Sequence, residues 1–286
     1  MDRKQETDET FYLKQFFLAS CLTLAACAEK EAIAEQQMPK AEQKKPEEKT
    51  VHVQKKEDDT SAWIKTEKPA KLPILMYHSI SSGNSLRVPK KEFEAHMKWL
   101  HDNGYQTLTP KEAYLMLAQD KKPSEKCVLI TFDDGYTDNY KDAYPVLKKY
   151  GMKATIFMIG KSIGHKHHLT EDQMKEMSQH GISIESHTID HLELNGLTPE
   201  QQHSEMADSK KLFDRMFDQQ TAIISYPVGR YNEDTLKAAE KTGYQMGVTT
   251  EPGAASRDQG MYALHRVRVS PGMSGASFGA YIESMK

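Results

Sequence analysis

Cys127-Val128-Leu129-Ile130-Thr131-Phe132-Asp133-Asp134-Gly135-Tyr136 joins an apolar, β-branched run to two adjacent carboxylates and a glycine. The run reads as a buried parallel strand, and its abrupt acidic ending reads as a site. Neighbouring side chains on a strand point to opposite faces, so Asp133 and Asp134 can serve one site only where the strand stops and bends. Gly135 permits that bend. Downstream, Ile184-Glu185-Ser186-His187-Thr188-Ile189-Asp190-His191 carries two imidazoles four residues apart. A helical turn or a tight loop brings both rings to one side. Two imidazoles and a carboxylate, with one coordination position left for water, form the ligand set of a catalytic zinc.

Outward from these stretches, strand-like and helix-like segments alternate. Strands are expected over 73–78, 105–108, the run ending at Phe132, 154–159, 182–186, 222–226, 246–249 and 264–269. Helices are expected over 90–101, 110–119, from the acidic turn to 150, 171–179, 199–216 and 233–241, with a last one carrying Phe278, Tyr281 and Ile282. Such alternation predicts a parallel sheet wrapped by helices, open or closed into a barrel, with chemistry at the carboxyl ends of the strands. Asp133 and Asp134, His187, and Tyr226-Pro227-Val228-Gly229 all fall at such ends. His78 also ends a strand, where it either lines the site or is a hydrogen-bonded core residue. His165, His167 and His168 read as a solvated loop in preference to a second metal site.

The chain has 286 residues and a formal charge of −3, from 38 basic and 41 acidic residues. That balance excludes the concentrated basic excess of a nucleic-acid binder. Cys21, Cys27 and Cys127 are the three cysteines, and their distribution supports no disulfide framework. The apolar segment 16–26 is short for a bilayer span but suits a secretory signal. It closes on Leu24-Ala25-Ala26-Cys27, which resembles the lipobox of bacterial lipoproteins. Residues 1–27 therefore read as a signal peptide with lipidation at Cys27. The acidic Asp2, Glu6, Asp8 and Glu9 ahead of it leave open a downstream start or an uncleaved anchor. Residues 28–70 are rich in Lys, Glu, Gln and Ala, a composition expected to form a disordered tether. Trp63 and Ile64 are its one apolar pair, suited to docking on the domain at 71–286.

Thr131-Phe132-Asp133-Asp134-Gly135 together with His187-Thr188-Ile189-Asp190-His191 resembles the first two motifs of the polysaccharide deacetylase family, the NodB-homology domain of carbohydrate esterase family 4. The likeness runs over about 72–269, including Leu75-Met76-Tyr77-His78 and Tyr226 to Asn232. It is greatest to the branch of poly-N-acetylglucosamine deacetylases and related surface lipoproteins. The resemblance implies a distorted (β/α) barrel of about seven strands that removes acetyl groups from carbohydrate. It implies Asp133 as catalytic base and Asp134, His187 and His191 as ligands of a divalent metal, zinc first, with cobalt or nickel as alternatives. It further implies the backbone N–H of Val228 as an oxyanion donor and His265 as the acid that protonates the departing amine.

Two positions depart from the family pattern. Ser225 stands where many members have an arginine that orients the base, which leaves Arg230 or Arg266 to replace it. Leu264-His265 does not keep the usual Leu-x-His spacing. The expected function is a monomeric hydrolase taking N-acetyl groups from an N-acetylglucosamine polysaccharide, either cell-wall glycan or an exopolysaccharide. It would be lipid-anchored at the outer face of the bacterial cytoplasmic membrane, or secreted. The rivals are an O-acetyl xylan or glycan esterase and a catalytically silent glycan-binding lipoprotein. A metalloprotease is disfavoured because no Glu follows His187.

Overall fold

The computed structural model describes residues 60–285. The segment 1–27 expected to be a signal, the expected lipidation position Cys27 and most of the expected charged linker lie outside the described residues. The chain runs through β1 (Ile64–Lys65), β2 (Ile74–Tyr77), α1 (Lys90–Asp102), β3 (Gln106–Thr107), α2 (Pro110–Gln119), β4 (Lys121–Lys122) and β5 (Cys127–Asp134). A π-helical turn, Asn139–Ala143, leads into α3 (Tyr144–Lys149), followed by β6 (Ala154–Met158), α4 (Glu171–Ser178), β7 (Ile182–Ser186) and α5 (Pro199–Phe217). The last elements are β8 (Ile223–Ser225), α6 (Glu233–Thr242), β9 (Met246–Pro252), β10 (Leu264–Arg268) and α7 (Gly275–Ser284).

Seven parallel strands close a ring of pairings, β2-β10-β9-β8-β7-β6-β5, because β2 pairs with β5 as well as with β10. β3 adds beside the first residues of β5. The ring is distorted, as expected: β7 and β8 share a single register pair, Ser186 with Ile224, and the register slips between Leu264 and Arg266. Glu185 stitches the weak joint, its Oε2 accepting the Ala222 N–H at 2.8 Å and the Ile223 N–H at 3.0 Å. Burial raises the Glu185 carboxyl to about 8 in spite of those two donors.

β5 is buried along its whole length, and its two faces enter different clusters. Leu129 packs with Ile74, Phe157, Ile223, Val248 and Leu264 inside the ring. Val128, Ile130 and Phe132 pack outward with Phe93, Met97 and Leu147 against the helices. Coverage on both faces explains the continuous apolar run, since each fully buried aliphatic chain contributes about 1.5–3 kcal/mol.

Helix starts are set by side-chain caps. Thr109 with Glu112, Thr170 with Gln173, Thr198 with Gln201 and Asn232 with Thr235 form reciprocal boxes at α2, α4, α5 and α6. Residues assigned to the linker enter the fold from Ile64, where β1 pairs antiparallel with β4 and Trp63 packs on the inner cluster. Among the described residues, no helix is long and apolar enough to cross a membrane.

Candidate active site

Alternation along β5 turns Thr131 and Asp133 to the inner face of the ring. There the Asp133 carboxylate meets the fully buried guanidinium of Arg266 from β10, with Nη1 to Oδ1 at 2.7 Å and Nη2 to Oδ2 at 2.7 Å. Arg266 also donates to the Thr249 carbonyl at 2.7 Å and the Ser225 hydroxyl at 3.1 Å. Ser225 in turn donates to Asp133 at 3.4 Å. Arg266 is therefore the arginine that binds Asp133, the expected base. Arg230, the other candidate, is exposed. Burial opposes the Asp133 charge, but the Arg266 guanidinium outweighs it and holds the carboxyl well below the usual range.

Strand alternation alone would send Asp134 outward. Its backbone instead turns left-handed, with φ 72°, followed by Gly135 at φ 75°, and the carboxylate comes round to the mouth of the ring. His187 Nε2 lies 3.4 Å and His191 Nε2 3.5 Å from Asp134 Oδ1. One donor atom from each of the three lies within 4.8 Å of the others. The His187 Nδ1–H donates to the Ser225 carbonyl at 2.7 Å, which leaves the Nε2 lone pair facing Asp134. Two nitrogens and an oxygen so placed suit a divalent ion such as zinc with an open position. Among the described residues this is the one His, Cys, Asp and Glu group with metal-binding geometry, so His165, His167 and His168 form no second centre.

Burial lowers the His78 and His191 imidazoles. His187 is raised: burial opposes the imidazolium, but protonated Nε2 would donate to Asp134, and the Asp133 and Asp134 charges favour that form. Left-handed backbone at Thr188 (φ 63°) and His191 (φ 59°) shapes the second motif into a tight loop. Val228 is left-handed too, with φ 57°, an outlying conformation for a β-branched residue. The turn around it is held by Gly229 N–H to the Tyr226 carbonyl at 2.9 Å and Arg230 N–H to the Pro227 carbonyl at 3.0 Å. Val228 is 55% exposed. A Cβ on Gly229 would come within 2.0 Å of Thr250 Oγ1, so only glycine fits beside it.

His265 does not join this group. It neighbours Arg266 on β10, and since Arg266 points to Asp133, the imidazole takes the other face. Its Nδ1 lies 3.4 Å from where a Gly253 Cβ would stand. Among the described residues no hydrogen bond or ion pair joins the His265 imidazole, the expected acid, to Asp133 or to the triad. His78, which the sequence left between site and core, places Nε2 3.9 Å from Asp133 Oδ2 and makes no ion pair with Asp134 among the described residues.

Comparison with known proteins finds deacetylases among the relatives. The sequence model of the family described as "Polysaccharide deacetylase" matches residues 120–247. "Putative polysaccharide deacetylase YxkH" of Bacillus subtilis (strain 168) is 90% identical over 275 residues, covering 96% of this chain and 99% of that protein. The poly-beta-1,6-N-acetyl-D-glucosamine N-deacetylase of Staphylococcus aureus (strain MSSA476) is 29% identical, with 77% of this chain and 85% of the relative covered. Among solved structures, the Streptococcus pyogenes deacetylase PplD in complex with acetate has 40% identity and a TM-score of 0.73. That match covers 77% of this chain and 100% of that one.

Proposed function

Because the chain belongs to the polysaccharide deacetylase family, we propose that this hydrolase removes N-acetyl groups from an N-acetylglucosamine polysaccharide at the cell surface, with a divalent ion held by Asp134, His187 and His191. The observation that carries the reading is the Arg266-bound carboxylate of Asp133, next in the chain to the triad's Asp134 and 3.9 Å from His78 Nε2.

A carboxylate held so low is a weak base and takes a proton only from an acidified water. A bound divalent ion supplies that acidity, lowering the pKa of water from near 16 to about 7. Asp133 accepts the proton as the water oxygen adds to the acetyl carbonyl. The Val228 N–H faces the negative oxygen that results. Asp133 passes its proton readily because Arg266 favours the carboxylate, and His78 is the nearest imidazole to receive it. From His78 the proton goes to the sugar nitrogen as the C–N bond breaks, giving acetate and a free amine. Amine departure needs that proton, whereas an alkoxide leaving from an ester needs it less. A dedicated proton carrier therefore favours the amide over the O-acetyl ester.

The relative named for poly-beta-1,6-N-acetyl-D-glucosamine supports the glycan class. Anchoring through Cys27 at the outer face of the cytoplasmic membrane is supported by the apolar segment and lipobox of the sequence.

Mass spectrometry of defined N-acetylglucosamine oligomers, incubated with the protein plus zinc or cobalt, tests the reading. Loss of acetyl mass that chelator abolishes is the expected result. Acetate from acetylated xylan with none from the oligomers would overturn it in favour of the esterase.

A further inference from the structure

β2 ends at Tyr77, so His78 stands one residue beyond its strand and must be located by other contacts. They come from the backbone of Leu86 and Val88, which brackets Ser79, and from side chains of the segment just past the acidic end of β5. Asn139 is fully buried, and its Nδ2 donates to the His78 carbonyl at 2.8 Å and to Asp138 Oδ1 at 3.2 Å. Asp138 Oδ1 accepts the Ile80 N–H at 2.9 Å, and Oδ2 accepts the Ser79 hydroxyl at 2.5 Å. Three consecutive residues, 78 to 80, are thus gripped by two side chains at the head of the π-helical turn. Such turns are rare and gather at functional sites. Asn139 Oδ1 is buried without a partner, a penalty that a side chain serving only to fill space would not carry.

We propose that Asp138 and Asn139 are positioning residues that hold His78 at the distance from Asp133 needed for proton delivery, a role that rests on the reading of His78 given above. β5 thereby supplies the base and, five residues on, the clamp for the proton carrier. Base and carrier cannot drift apart independently.

The test compares two substrates on the full metal-loaded protein: an N-acetylglucosamine oligomer, whose amine must be protonated, and para-nitrophenyl acetate, whose phenolate leaves unaided. Asp138→Ala is expected to lower kcat on the oligomer by at least about tenfold and to leave ester hydrolysis within about twofold. Asp138→Asn, which keeps an oxygen for the Ile80 N–H, is expected to recover most of the loss. Asn139→Ala should behave as Asp138→Ala if it folds, and the two Asp138 variants decide the matter if it does not. A parallel fall on both substrates, or no fall on the oligomer, would overturn the positioning role. His78→Gln is run alongside: without an oligomer-selective loss in that variant, the proton-delivery reading itself fails.

Discussion

Arg266 and Asp133, 133 residues apart in the chain, meet in two parallel hydrogen bonds of 2.7 Å with both side chains shut away from water. The pair both fixes the carboxylate and keeps it charged. Replacing Arg266 by Met leaves a buried anion unpaired, which costs about 3–5 kcal/mol. Urea unfolding at neutral pH should show a loss of that size. The folded Asp133 carboxyl lies below its unfolded value, so the pair's contribution is complete above the ordinary carboxylate pKa and is lost only as pH falls through the depressed one. The wild type should therefore tolerate more acid than Arg266→Met, as followed by circular dichroism.

Adding zinc to chelator-treated protein should raise its Tm, because an ion binding only the folded chain stabilises it by mass action. His191→Ala is expected to abolish that rise. Its own side chain is only part-buried and makes no side-chain hydrogen bond within the loop, so the metal-free Tm should move little. A metal-dependent Tm rise retained in this variant would remove His191 from the ligand set.

His265→Ala should keep kcat on N-acetylglucosamine oligomers within about twofold, since the imidazole lies on the face of β10 away from the reacting groups. A loss of about a hundredfold, the usual effect of deleting a general acid, would restore it to the catalytic machinery.

Glu185 gives the opposite pH sign to Asp133. Its carboxyl is raised from 4.5 to about 8 in the folded protein, so the unfolded chain releases the proton first as pH rises. Stability from this group is whole below about 4.5 and declines until about 8. Glu185→Gln cannot ionise and keeps an oxygen for the Ala222 and Ile223 donors. Between pH 5 and 8 the Tm of the wild type should fall relative to this variant by several degrees, read by differential scanning calorimetry.

The order of strands and helices was legible because each element carries its own local signal. The apolar periods and the capped starts of α2 and α5 need no knowledge of the rest of the chain. Asp134, His187 and His191 were legible as candidates for a related reason: acidic and imidazole groups at strand ends are marked by residue type and spacing. What depended on the phase of a strand was harder. His265 and Arg266 are neighbours, and which of them faces the ring is set by the pairing of Arg266 with Asp133 across the ring, which no local pattern announces. His78 needed the β2–β5 pairing to be known before its distance from Asp133 had meaning. The clamp of Asp138 and Asn139 left no sequence signal, since π-helical turns have no simple residue pattern.

The closure of the ring by β10 carries a consequence for biosynthesis. β10 is the last strand of the domain to leave the ribosome, and it brings the one cation that lets Asp133 sit charged in the interior. Until it docks between β2 and β9, the emerging polypeptide holds an aspartate with no counterion and a seam with no occupant. A chain lacking β10 therefore lacks the guanidinium that fixes Asp133. A frameshift or nonsense codon anywhere before Arg266 should therefore yield an inert product and not a weakened enzyme.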